Sequence, residues 1–186
     1  MDARERRMTY RVTSEWVGLK RNKTFPSIDF LHPRTFSVDW ECCVLVRALE
    51  PKCPPVPAAL EFEFVGRSFR KDTPACGAGV RLSAVPSLSL LSLATPVALK
   101  TFEQSTAVIY NGIQPWDRTR TVLFRTIAVP FSGGDGALKY VLGAVSYKLA
   151  NEKVSPEKIH AEFLEFRDGS WLPLEIDLER RRLASA

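Results

Sequence analysis

The stretch TRTVLFRTIAVPFSGGDGALKYVLGAVSYKL, Thr119 to Leu149, decides the fold. Two runs rich in Val, Ile, Thr, Phe and Tyr, Thr119 to Phe131 and Leu138 to Leu149, flank Ser132-Gly133-Gly134-Asp135-Gly136. The glycines supply the positive φ angles of a tight turn, so the stretch predicts two long strands joined as an antiparallel hairpin. Just upstream, Ala107 to Tyr110 predicts a short third strand.

Further upstream the pattern turns helical. Leu-rich sequence between Arg67 and Gln104 predicts two consecutive helices, about Pro86 to Leu93 and Pro96 to Gln104. Ser83 is read as the first cap, and Thr95-Pro96 as a capping hydroxyl before a proline at the first helical position. Cys76-Gly77-Ala78-Gly79 reads as a turn. Before this insert, Leu60-Glu61-Phe62-Glu63-Phe64-Val65 alternates apolar and charged residues, the mark of a half-buried strand. Trp40 to Leu49 is an apolar run suited to a buried strand, and the proline-rich Glu50 to Ala59 joins the two as a loop. At the N-terminus, Tyr10 to Arg21 predicts an amphipathic helix with Val12, Trp16 and Leu19 in one row. The order is helix, two strands, helices, three strands. That predicts an α+β fold with a five-stranded antiparallel sheet, a helical insert and an N-terminal helix.

The domain so defined covers residues 1–150. Residues 151–186 form a C-terminal extension with two readings. Ser155-Pro156-Glu157 can open a helix through Phe166, or Ala161 to Phe166 can pair as a strand with Trp171 to Ile176 across Asp168-Gly169.

Composition sets outer bounds. The 186 residues are 45% hydrophobic and 25% charged, with a net charge of +5, which is ordinary globular composition. That charge falls short of a dedicated nucleic-acid binder. No run of about 18 apolar residues exists, and the charged start Met1 to Arg7 leads into no signal-peptide core, so a cytoplasmic protein off the membrane is expected.

The order and motifs resemble a short bacterial PAS-like (Per-ARNT-Sim) family. The residues that carry the likeness are Trp16-Val17-Gly18-Leu19, Pro26 with Asp29-Phe30, and Phe62 to Gly66. Gly77 before a Leu-rich helix, Arg125, Pro130-Phe131-Ser132 and Asp135-Gly136 complete it. The resemblance covers about residues 10–150. It implies a sensory or regulatory module in signal transduction, working by protein–protein contact, with a small ligand held between sheet and helices as a further option. A carrier or enzyme using the same cavity is the alternative. The pocket residues expected are Phe62, Phe64, Leu91, Phe102, Tyr110, Phe124 and Tyr140. Val12, Trp16 and Leu19 either cap the core or meet a second copy in a homodimer.

Chemistry-bearing motifs are few. His32 and His160 lie in a Pro-flanked turn and in the extension, so no nucleophile–base pair is expected, and the chain is read as not an enzyme. Cys42, Cys43, Cys53 and Cys76 show no CxxC or Cys/His spacing and read as free thiols, with no metal expected. The insert offers no histidine for haem, and Cys76 lacks the surroundings of a flavin-reactive cysteine; the cofactor is therefore unknown. Gly133 to Gly136 reads as a hairpin turn instead of a cyclase signature, and Cys76 to Gly79 lacks the Gly-Lys-Ser/Thr of a P-loop. Arg67, Arg70, Arg118 and Arg120 read either as a phosphate-binding patch or as solvated strand-end arginines. Glu179 to Arg182 reads as an exposed charged run.

Overall fold

The structure is a computed structural model that describes residues 8–34, 36, 38–50, 56–117 and 120–150. The elements run α1 (Met8–Lys20), β1 (Cys43–Ala48), β2 (Leu60–Val65), α2 (Arg67–Asp72), α3 (Leu90–Gln104), β3 (Val108–Pro115), β4 (Thr121–Ser132) and β5 (Leu138–Ala150). Short 3-10 turns sit at Ile28–Phe30, Trp40–Cys42, Pro57–Ala59 and Leu82–Ala84. The strands form one antiparallel sheet in the order β2-β1-β5-β4-β3, so the α+β expectation holds. By internal packing the chain divides into two compact units, Met1–Gly112 with Phe124–Lys148, and Ile113–Leu123 with Leu149–Ala186.

The hairpin at the centre follows its glycines. Gly136 has φ +79°, its N–H donates to Gly133 O at 3.1 Å, and Gly133 N donates to Ala137 O at 3.0 Å. The Asp135 carboxylate accepts from Ala137 N at 3.0 Å, which fixes the turn further.

The helical insert departs from expectation. One helix, α3, replaces the two predicted, and Pro96 lies inside it. Its start is fixed by Ser89, whose hydroxyl accepts from Ser92 N at 3.2 Å, and by the Asp72 carboxylate, which accepts from Leu90 N at 2.8 Å. Ser83 instead lies in the 3-10 turn Leu82–Ala84. Thr95 does not cap; its hydroxyl donates back to Leu91 O at 3.0 Å, as a mid-helix threonine does. An interior proline costs about 3 kcal/mol. Leu90, Leu91, Leu93, Ala94, Val97, Ala98 and Phe102 are all buried on this helix. At about 1.5–3 kcal/mol for each large apolar side chain, that burial outweighs the proline.

Helix α1 starts at Met8, two residues before the predicted start, and buries Met8, Val12 and Trp16. The Trp16 indole N–H donates to Pro130 O at 2.7 Å. Pro130 can occupy β4 because β3 has ended beside it. The Trp116 N to Arg120 O bond at 2.9 Å sets the β3–β4 alternation, and following it back runs out of β3 at Val108, before Pro130 is reached. On that free side Pro130 lacks no ladder bond. Its carbonyl takes Trp16, and Ser132 N donates to Pro26 O at 2.9 Å. Trp16→Phe keeps an aromatic ring and removes the donor. Its expected cost is about 1–3 kcal/mol, for an acceptor left unpaired in the core. Thermal melting reads that loss, with molecular mass by light scattering unchanged; an unaltered melt would show that the bond contributes nothing.

Candidate functional site

The expected pocket joins residues of β2, α3, β3, β4 and β5, so the sheet faces decide which of them meet. The β1–β2 register places Val46 opposite Phe62 and Leu45 opposite Phe64, with a register shift between Leu45 and Val46. Consecutive strand residues point to opposite faces, so Phe62 and Phe64 do as well. The shift is a bulge at Glu63, the extra residue that breaks the alternation Leu60, Phe62, Phe64. Phe62 lies with Val46 in the core at 1% exposure. Phe64, half-buried, turns to the other face and meets the Trp40 ring edge-on at 5.8 Å between centroids.

Tyr140 stands opposite Arg47 in the β1–β5 register, so it shares the face of Leu45 and Phe64. Arg47 bridges Glu61, its cross-strand partner, and Glu63 at 3.2 Å. These half-exposed ion pairs each contribute little, about 0–1 kcal/mol. Phe62 and Phe64 therefore stand on opposite faces of the sheet, with Tyr140 on the face of Phe64. Leu91 and Phe102 are buried on α3. Phe124 is 7% exposed, while Tyr110, with its ring centroid 5.9 Å away, is 55% exposed.

Between α3 and β4 the buried polar groups are matched within the chain. Thr126 Oγ1 donates to Leu93 O at 3.2 Å, and Thr101 Oγ1 lies 2.9 Å from Val97 O and 3.4 Å from Ala128 O. This layer is a packed apolar interface with satisfied hydroxyls.

A second aromatic group was not legible in the sequence. Phe36 lies 6.3 Å from Trp40 and 6.4 Å from Phe131, both edge-on, and Trp40 continues to Phe64. The segment before β1 thus packs its rings against Phe131 of β4 and Phe64 of β2. Leu19 is half-buried, whereas Val12 and Trp16 are 0% and 3% exposed. The row Val12–Trp16 is filled from within the chain by the contact with Pro130.

The remaining candidates disperse. His32 sits in its turn, its Nδ1 accepting from Arg34 N at 3.1 Å. Arg67 lies 3.9 Å from Glu41, and Arg120 pairs with Asp117 at 2.6 Å. Arg118, Cys53, His160 and Glu179 to Arg182 lie outside the described residues. The Cys76–Gly79 turn is stitched to β2, Gly79 N donating to Phe62 O at 2.7 Å with Gly79 at φ +81°.

Cys42 lies in the 3-10 turn, and Cys43 begins β1 and is buried. Burial, then the neighbouring Cys42 and Asp39, pushes the Cys43 thiol up, and burial does the same first for Cys42. Such thiols are poor nucleophiles. The fold holds these protons where an unfolded thiol, at about 8.5, has released its own. The stabilising contribution is full below that value and is lost as pH rises through the window above it. Cys43→Ala is therefore expected to lose less stability between pH 7 and 10 than the parent chain does. Equal losses in urea melts would show that this thiol is not linked to folding.

No family model matches the chain, and no curated protein matches it either.

Proposed function

We propose that the chain is a PAS-like regulatory module that works by protein–protein contact. The observation that carries this reading is the element order. Two strands, a helical insert and three strands fold into one five-stranded antiparallel sheet, preceded by a helix packed through Trp16. No helix among the described residues is long and apolar enough to cross a membrane.

Native mass spectrometry with an absorbance scan of the purified chain separates the two. The module reading expects the bare chain mass, together with one partner recovered by cross-linking inside the cell with its cross-links mapped to defined residues. A stoichiometric small molecule that the chain converts would replace that reading with the enzyme.

A further inference from the structure

Just past α1 the backbone takes a conformation that its sequence does not favour. Arg21 has φ +46°, in the left-handed region where glycine or asparagine ordinarily ends a helix. A long side chain held there costs stability, and it persists only where the surrounding structure determines it. The following loop is tied down in that way. Lys23 N donates to Lys20 O at 2.9 Å, and Phe30 N donates to Ser27 O at 3.1 Å. Pro26 O accepts from the amide of Ser132 at 2.9 Å and from its hydroxyl at 3.2 Å. All of these residues belong to the larger compact unit.

This fixed loop concentrates positive charge. Lys20, Arg21 and Lys23 fall within four positions, and from Leu19 to Phe36 the one acid is Asp29. The Asp29 carboxylate is already engaged by the Ser27 hydroxyl at 2.8 Å. Arg47, Arg67, Lys100 and Arg120 each meet a carboxylate, whereas Lys20, Arg21 and Lys23 form no ion pair among the described residues. Two of the three heads are held on rings: Lys20 Nζ lies 5.2 Å from the Trp16 ring, and Lys23 Nζ lies 5.8 Å from that of Phe30. Such contacts fix the ammonium groups and leave their charge unneutralised. Phe30 itself is 50% exposed, so an apolar ring stands open beside the cations.

We propose that Lys20, Arg21, Lys23 and Phe30 form the docking surface for an acidic segment of a partner protein. Asp or Glu side chains of that segment meet the three cations, and an apolar side chain meets Phe30. This rests on the protein–protein reading above and names the chemistry of the partner. Charge complementarity carries it, and cations already fixed in place lose little further freedom on binding. A single open ring is a poor match for single-stranded nucleic acid, whose successive bases stack on several aromatics. A lipid surface is met by the apolar row of a helix, and α1 spends its own row, Met8, Val12 and Trp16, in the core.

Fluorescence anisotropy on the full chain tests the surface, with a labelled peptide carrying a central Leu flanked by Glu residues as the probe. The same peptide with Lys for Glu, oligo-dT and phosphatidylserine vesicles are the comparisons. The Glu peptide is expected to bind, and Lys20→Gln, Arg21→Gln and Lys23→Gln together to weaken it about ten-fold, as three exposed ion pairs would. Arg70→Gln, Lys71→Gln and Lys100→Gln remove the same charge from α2 and α3 and are expected to change binding less than about two-fold. Arg21→Gly is expected to weaken binding while the melt stays unchanged or rises, because the left-handed strain is relieved. Should the triple variant misfold, Lys23→Gln alone reads the loss. No binding of the Glu peptide, or an equal loss in the α2–α3 variant, overturns the proposal. So does an Arg21→Gly chain that melts lower and binds as before. Tighter binding of oligo-dT or of vesicles, lost in the triple variant, overturns it in favour of a nucleic acid or a lipid surface. The two readings fail separately. Cellular cross-links that map a partner away from residues 20–30 overturn this surface and leave the contact module standing. Conversion of a bound small molecule overturns the module, whatever the peptide result.

Discussion

Gly66→Ala is expected to lower the melting temperature by about 6–12 °C, at roughly 3 kcal/mol and about 2–4 °C per kcal/mol for a chain of this size. Gly66 has φ −63° and ψ 157°, a conformation open to any residue, so backbone freedom is not what the position requires. It requires the missing side chain. A Cβ here would lie 2.5 Å from Trp40 O and would overlap Glu41 O as well. Both obstacles are backbone atoms of the 3-10 turn before β1, so no rotamer change relieves them. That turn is itself tied down: Cys42 N donates to Asp39 O at 3.0 Å, Glu41 N donates to the Asp39 carboxylate at 3.1 Å, and the Trp40 ring rests on Phe64. The other side is no freer, because Gly66 N donates to Cys43 O at 2.8 Å and Gly66 O accepts from Arg70 N at 3.2 Å. Gly77→Ala is the control. A Cβ there meets nothing within 4 Å, so that change should leave the melt unchanged or raise it slightly. Equal melts for the two variants would show that the close approach at Gly66 is not real.

The strands were legible wherever local chemistry determines them. Gly133 to Gly136 encode their turn, and β4 and β5 follow from the residues on either side. The same locality misled at Thr95-Pro96, where a capping signal sits inside α3. The buried apolar side chains on both sides of Pro96 settle that element, and their burial is a tertiary fact invisible in a short window. The aromatic set Phe36, Trp40, Phe64 and Phe131 comes from three segments whose meeting depends on sheet register. No spacing in the sequence announces it. Phe62 and Leu91 were foreseen as interior and are so, at 1% and 0% exposure. The face of Tyr140 follows from its pairing with Arg47, which no local pattern around Tyr140 encodes.

The bulge at Glu63 makes the sharpest contrast, and Phe62→Ala against Phe64→Ala measures it. Strict alternation through β2 gives both rings the same environment and the same cost. In the structure Phe62 is fully buried on the Val46 face, so its truncation opens a cavity among Val46, Leu60 and their neighbours, none of which is free to collapse. The expected cost is about 3–5 kcal/mol. Phe64 is half-buried against Trp40, and its loss removes one edge-on aromatic contact together with partial burial. That comes to about 1–3 kcal/mol, the aromatic pair itself contributing about 0.5–1.5. A second substitution makes the argument independent of size. Glu63 is the exposed residue of the bulge, so deleting it restores two-residue periodicity and forces the chain to choose. Either Phe64 swings into the core or Phe62 swings out, and both displace a well-packed face. The deletion is therefore expected to destabilise far more than Glu63→Ala, which keeps the bulge and loses only the 3.2 Å pair with Arg47. Urea melts of the four variants read the whole set. Equal losses for Phe62→Ala and Phe64→Ala, with a tolerated deletion, would place both rings on one face and return β2 to simple alternation.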